Sequence, residues 1–277
     1  ETREAVRLLR AAGFKIVLHW MPNLLGSTPD MDRRDFTRLW EDSDLRPDEI
    51  KIYPCQLLEN AELYDFWLRG EYRPYSTNEL IELIADIKPI IPEYCRVNRV
   101  IRDIPSTNVV DGNKRTSLRQ DIHREMRLRG TRCRCIRCRE VRGDSVDWRS
   151  LQLRDFSYRA GGAEEHFLAI TTAADRLAGF LRLSLPSSDA SRVDLRDLEQ
   201  AAIVREVHVY GQSLEVGADQ SGAAQHIGLG TRLMRKAENI SRRSGYRMLS
   251  VISALGTRGY YGKLGYELGE TYMIKEL

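Results

Sequence analysis

Three short apolar runs, FKIVLHW at 14–20, EIKIYPC at 49–55 and RVNRVIRDIP at 96–105, alternate with stretches of helical character over the first 105 residues. The intervening stretches are RRDFTRLWEDSDL (33–45), NAELYDFWLRG (60–70) and STNELIELIADIKPII (76–91). The last of these is opened by Ser76 or Thr77 as N-cap, with Glu79 in its first turn. A strand that returns to a parallel neighbour needs a crossover of about a dozen residues, usually a helix, so this alternation constrains the region to a parallel sheet. The candidate architectures are a β/α barrel and a doubly wound sheet. Three strands do not close a barrel, so either upstream sequence completes it or the sheet stays open. At the start, Val6, Leu8, Leu9 and Ala12 with Gly13 as C-cap read as the end of a helix feeding the first strand. The expectation is a fragment of a longer chain.

From residue 146 the pattern becomes strand-rich: LQLRDFSYR, EEHFLAITTA, RLAGFLRLSL and AAIVREVHVY, joined by turn-like GG, DR and PSSDAS. One helix, a further strand, a short helix and a final strand follow, which is an α+β domain. With 277 residues and 42% apolar content the chain suits two domains with real cores. It holds no apolar run long enough for a membrane span and no signal-peptide layout, so no membrane is expected. Five cysteines, an odd number with three in RCRCIRC, argue against a disulfide framework and for a reducing, cytoplasmic compartment.

Between the two regions the charge changes. Residues 113–142 carry Lys114, Arg115, Arg119, Arg124, Arg127, Arg129, Arg132, Arg134, Arg137, Arg139 and Arg142 against Asp121, Glu125 and Glu140. A solvated helix face is the bland explanation of such a run. The preference for Arg over Lys favours nucleic-acid contact, because a planar fork of donors suits phosphate. Within the run, Cys133-x-Cys135-x-x-Cys138 offers three soft ligands and lacks the fourth of a tetrahedral zinc shell. Cys55, Cys95 or a histidine such as His19 could supply it. Cys55, at the end of its strand, is the preferred choice and gives a closed structural site of four cysteines.

The segment QHIGLGTRLM spaces Gln225, Gly228 and Gly230 as a loop after the strand IVREVHVY, with a helix expected to start at Thr231. Free amides at a helix N-terminus bind a pyrophosphate. No Gly-Lys-Ser/Thr follows, and the third glycine of a dinucleotide fingerprint is missing.

The Gln-x-x-Gly-x-Gly spacing is that of the Gcn5-related N-acetyltransferases. Together with REVHVYG, VISALGTRGYYGKLGY, YMIKEL, HWMPNLLGSTPDMD, DEIKIYPC, YRPYS, NRVIRDIP and GTRCRCIRCREV, in order along nearly the whole chain, it resembles the catalytic subunits of Elongator. The resemblance implies the C-terminal part of a radical-SAM-type β/α barrel at 1–110, a basic zinc-binding linker at 111–145 and an α+β Gcn5-related acetyltransferase domain at 146–277. It implies acetyl-CoA bound along Glu206, Val207, His208 and Val209, with the pyrophosphate cradled by Gln225, Gly228, Leu229, Gly230 and Thr231. Tyr261, with Tyr260 beside it, would lie near the thioester sulfur as proton donor, and His208 and Glu206 are candidate bases. The implied partner is the anticodon stem-loop of tRNA, contacted through Lys114, Arg115, Arg119, Arg132, Arg134 and Arg137. Other Elongator-type subunits or a second copy of the chain are further expected partners. The implied function is carboxymethylation at C5 of the wobble uridine. SAM and a [4Fe–4S] cluster belong to the full-length family, whose cluster motif has no match here. A protein lysine acetyltransferase acting on histones is the alternative, though a basic linker would repel lysine-rich tails. A scaffold binding CoA and RNA without catalysis is the third.

Overall fold

The computed structural model describes residues 1–102, 104–142, 146–191, 193–210 and 223–277, with the side chains of 148 and 223–227 excepted. The chain divides into two compact units, one of Glu1–Ile16, Ser43–Leu45 and Arg139–Leu277, the other of Val17–Asp42 and Arg46–Cys138.

Helix α1 (Thr2–Ala11) opens the chain. It ends as its sequence requires: Gly13 takes a left-handed φ of 78°, its amide donates to the Arg10 carbonyl, and the Phe14 amide donates to that of Leu9. The second unit then runs β1 (Val17–Trp20), α2 (Pro29–Glu41), β2 (Glu49–Ile52), α3 (Leu63–Leu68), α4 (Thr77–Ile87), β3 (Arg96–Arg99), α5 (Leu118–Leu128) and α6 (Ile136–Arg139). Strands β1, β2 and β3 form a parallel sheet in that order. Helix α2 starts earlier than the expected 33, because Thr28 accepts from the Met31 amide as N-cap and Pro29 occupies the first helical position. Helix α4 carries a complete capping box, with Ser76 Oγ accepting from the Glu79 amide and the Glu79 carboxylate accepting from that of Ser76. The motifs MPNLLGSTPDMD and YRPYS meet in one buried polar network. Asp32 accepts from the Asn23 amide and the hydroxyls of Ser27 and Tyr75, while the Asn23 carbonyl and side-chain oxygens accept from the Tyr72 hydroxyl.

The other unit is built on β4 (Gln152–Ala160), β5 (Ala163–Thr171), β6 (Leu177–Pro186), β7 (Ala201–Val209), α7 (Ala223–Arg243), β8 (Met248–Val251), α8 (Arg258–Lys263), β9 (Glu267–Leu268) and β10 (Met273–Glu276). The sheet order is β4-β5-β6-β7-β8-β10-β9, antiparallel throughout except for the parallel pair β7–β8. Helix α7 makes the crossover that a parallel pair demands. It buries Leu233, Met234 and Ala237 with Leu168, Leu181, Val204 and Leu249. The first sixteen residues are tied in by buried polar groups. The Arg205 guanidinium donates to Glu165 at 2.8 Å and to the Phe14 carbonyl at 3.0 Å, Arg10 lies 3.7 Å from Glu165, and the Tyr272 hydroxyl donates to the Ala12 carbonyl. Gly228 and Gly230 lie inside α7, whose first residue is Ala223, where the sequence suggested a loop up to Thr231. Ala223 and Ala224 are strong helix formers, and the two glycines lower helix stability without forcing a left-handed turn.

Candidate functional sites

Strand β7 is paired on its two sides over different lengths. Its ladder with β6 runs to Val209, but the one with β8 covers only Ala201–Val204. The change coincides with a bulge: Arg182 faces Glu206 while Leu183 faces Val204, leaving Arg205 as the extra residue. A bulge bends its strand and increases the twist, and the Arg205–Glu165 pair fixes this one from within. Beyond it, the described ladder with β8 does not continue along Glu206–Val209. Glu206 accepts from Arg182 (2.9 Å) and Lys15 (3.2 Å). Burial pushes its carboxyl up, yet these two cations outweigh burial and hold it below the ordinary value. His208 is exposed, with its ring against Phe180 and, at 4.4 Å, Tyr210.

Val209, Gly230, Thr231 and Tyr260 converge at the end of β7. A Cβ on Gly230 would sit 2.6 Å from the Tyr260 hydroxyl and 3.9 Å from a Val209 methyl, so glycine permits the close approach. The Tyr260 hydroxyl is buried and has no hydrogen-bond partner among the described residues. Burial raises its pKa; the Thr231 side chain opposes this, without hydrogen-bond geometry good enough to satisfy the hydroxyl. Tyr261 packs edge-on to Tyr260 and Tyr266 within the core, where burial pushes its pKa up to about 12. Leu229 is likewise a core residue. The expected pair therefore divides: Tyr260 reaches Gly230 and Tyr261 is packed into the core. The Gln225 side chain lies outside the described residues. Along the same helix a cavity of about 570 Å³ is lined by Leu153, Gly228, Thr231, Arg232, Arg235, Lys236 and Asn239. The helical members fall at three- and four-residue spacing, one stripe of α7. Sequence reading missed its three cations, although that spacing after Gly230 was the signal.

In the other unit, Cys133, Cys135 and Cys138 bring their sulfurs within 4.8 Å of one another. Cys55 is not among them: it lines a separate cavity with His19, Tyr53 and Arg102 and interacts with Tyr72, and burial raises its pKa. The neighbour the structure supplies instead is His123, on α5, with Nε2 3.9 Å from Cys138 Sγ. Burial, aided by Lys88 and Arg119, lowers its pKa to about 4, so the imidazole is neutral at pH 7. Hydrogen bonds from Cys133 and Cys138 hold the Cys135 thiol well below its ordinary value, and the Cys133 thiol is raised by the same contacts. Ligand sulfurs around a tetrahedral zinc lie about 3.8 Å apart, given Zn–S near 2.3 Å. Three such thiols are donors suited to a divalent ion, and the His123 imidazole, not Cys55, stands beside Cys138.

The basic residues divide as well. Lys114, Arg115 and Arg132 are exposed, and Arg134 is exposed while paired with Glu93 at 2.9 Å. Arg119 is turned to other work, donating to the carbonyls of Val97 and Asn98. Arg137 is half-buried. No helix among the described residues is long and apolar enough to cross a membrane.

The Radical_SAM C-terminal domain family matches residues 47–128. The "tRNA uridine(34) acetyltransferase" of Methanocaldococcus infernus is 39% identical over 286 residues, spanning 100% of this chain and 53% of that protein. The "Elongator complex protein 3" of Danio rerio is 38% identical over 280 residues, spanning 99% and 51%. The chain is homologous over its whole length to these proteins, named tRNA uridine(34) acetyltransferase and Elongator complex protein 3. The solved archaeal Methanocaldococcus infernus Elp3 with an N-terminal deletion (1–46) superposes on this Elongator-type chain with a TM-score of 0.89 at 38% identity, covering all of it and 66% of that structure. The chain spans about half the length of the curated relatives it matches.

Proposed function

We propose that this Elongator-type chain supplies the acetyl-CoA-binding and tRNA-binding parts of an enzyme modifying the wobble uridine of tRNA. The observation that carries the reading is the one-sided pairing of β7 beyond Val204, close to the cation-lined cavity of α7. The names of the relatives agree with it. An extended pantetheine arm would pair with the backbone of Glu206–Val209, past the end of the described β8 ladder, and Arg232, Arg235 and Lys236 would offset the phosphate charge. For the amides of Gly228–Thr231 to cradle a pyrophosphate, the first turns of α7 must open, because inside a helix each amide is taken by the carbonyl four residues back. Two glycines in eight residues make that opening easy. A phenol beside the thioester can donate a proton to the departing thiolate. Tyr260, with its unsatisfied hydroxyl against Gly230, suits this role better than Tyr261.

Zinc held by Cys133, Cys135, Cys138 and His123 would brace the basic segment, and when bound it supplies folding energy rather than chemistry. Lys114, Arg115, Arg132 and Arg134 would contact the tRNA backbone. The radical-SAM chemistry of the family needs a cluster site. The only metal-ligand group among the described residues suits a single ion, so no radical step is assigned to them.

Acetyl-CoA hydrolysis with Tyr260→Phe tests the reading. The rate should fall by about 10²-fold, the lower end for loss of a general acid, with acetyl-CoA affinity unchanged. An unaltered rate removes Tyr260 from the chemistry, and absence of acetyl-CoA binding by the unmodified chain refutes the proposal.

A further inference from the structure

Helix α3, with the sequence LYDFWL, carries large apolar side chains at five of its six positions, yet none of the six residues is buried and Leu68 is 61% exposed. A helix normally turns its apolar residues to a core, and a group of large apolar side chains left at a surface marks an interaction site. The rings are ordered without being covered. Tyr64 stacks on Trp67 at 5.5 Å, the Trp67 indole donates to Asp111, and the Arg69 guanidinium lies 4.6 Å from the centre of the Phe66 ring. Groups already held in place lose little freedom on docking, and Trp and Tyr are the residues that anchor interfaces. The loop after β1 adds to the apolar exposure. Asn23 is bonded to Tyr72 and Arg73, four and five residues past the end of α3, and its neighbours Leu24 and Leu25 are exposed. The surrounding charge selects the partner. Glu59, Glu62, Asp65, Glu71 and Asp111 are exposed acids, and the cation among them is Arg69, held by Glu71 at 2.9 Å and by Phe66. Glu59, Glu62 and Asp65 form no ion pair among the described residues. This is the reverse of the whole chain, whose net charge is +3. An RNA backbone would meet like charge here, whereas a lysine or arginine would meet carboxylates at the rim and aromatic faces within it. We propose that α3 is the docking surface for a partner protein, and that the part it receives is an amphipathic segment rich in lysine or arginine.

The inference is independent of the acetyl-CoA, tRNA and metal readings. Its probe is a fluorescein-labelled helical peptide of leucine and lysine, titrated against the full chain and followed by anisotropy. A leucine–glutamate peptide and a uridine oligonucleotide are the counter-probes. The lysine peptide should bind, more weakly as salt is added, and the other two should not. Trp67→Ala should weaken it by about 30-fold, the scale of truncating an interface anchor. Leu68→Ser, at an exposed side chain, should weaken it as well and serves alone if Trp67→Ala does not fold. Glu62→Lys combined with Asp65→Lys should turn the preference toward the glutamate peptide without lowering the Tm. Lysine-peptide affinity that Leu68→Ser and the charge reversal both leave within about twofold overturns the proposal, and so does equal binding of the two peptides. Tighter binding of the oligonucleotide overturns it in favour of RNA. A dimer in sedimentation that Leu68→Ser dissolves overturns it in favour of a second copy of the chain. The relatives extend well beyond the length of this chain; a chain so extended that no longer binds the peptide would make the added sequence the occupant and overturn it too.

Discussion

Replacing Gly228 and Gly230 by alanine, one at a time, separates what each does at the start of α7. Both lie within Ala223–Arg243 and neither has a left-handed φ. A methyl group on Gly228 meets nothing within 4 Å, so alanine gains the helix-propensity difference, about 0.8–1.0 kcal/mol. That should raise the Tm of a unit of this size by roughly 2–4 °C. At Gly230 the same gain is set against a Cβ placed 2.6 Å from the Tyr260 hydroxyl. Overpacking of that kind costs about 1–3 kcal/mol, and the net effect should run from neutral to about 2 kcal/mol of destabilisation. Circular dichroism at 222 nm, followed through thermal unfolding, reads both. Acetyl-CoA affinity, read by calorimetry, should fall for both variants. Gly228→Ala opposes the opening of the helix by its own propensity gain, about 1 kcal/mol or roughly fivefold in Kd. A lower Tm for Gly228→Ala would show that residue 228 is not helical. A raised Tm with unchanged acetyl-CoA affinity would show that the ligand does not need these amides free.

Two further outcomes follow from the described contacts. Ser76→Ala should cost about 1 kcal/mol of stability through loss of the α4 cap. Its partner Glu79 is held at about 2 by the Arg73 guanidinium first and the Ser76 amide second. A carboxyl whose folded pKa is depressed contributes stability above its ordinary value of 4.5 that is lost as pH falls toward about 2. Glu79→Gln should flatten that part of the acid-unfolding profile, and an unchanged profile would contradict the assignment. Arg205→Met leaves Glu165 buried with only the longer Arg10 contact, so urea unfolding should register a loss of about 3 kcal/mol, the lower end for breaking a buried pair. A loss under about 1 kcal/mol would mean the bulge does not depend on this pair.

What can be read in advance follows the range of the interactions. The parallel pairing of β1, β2 and β3 is legible from the helices that alternate with them, and the Ser76–Glu79 capping box from two residues three positions apart. Helix α2 begins at Pro29 and not at 33 because of a Thr28–Pro29 signal that is local but reads equally as loop. The start of α7 is harder, since glycine marks turns as often as it weakens helices, and only the absence of a left-handed φ decides between them. His123 escapes notice because it stands ten residues ahead of Cys133, on α5, whereas Cys55 draws attention by its place after a strand. The Arg205 bulge depends on Glu165 and Phe14, forty and more residues distant, and no pattern within β7 announces it.

The mismatch between β7, nine residues long, and β8, four residues long, has a consequence for solubility. Among the described residues, about five residues of β7, roughly 17 Å at 3.4 Å per residue, run on past the end of the β8 ladder. Such flanks recruit other chains and seed aggregation. Proteins that keep one open usually shorten it or cover it with charge, yet here Val207-His208-Val209, with His208 exposed and both valines half-buried, holds no acidic residue, Lys or Arg and is β-prone. The fold thus retains a liability that an extended small molecule lying along the flank would remove. Ligand-free protein should therefore be the form that precipitates first on concentration, and light scattering with and without acetyl-CoA would show it.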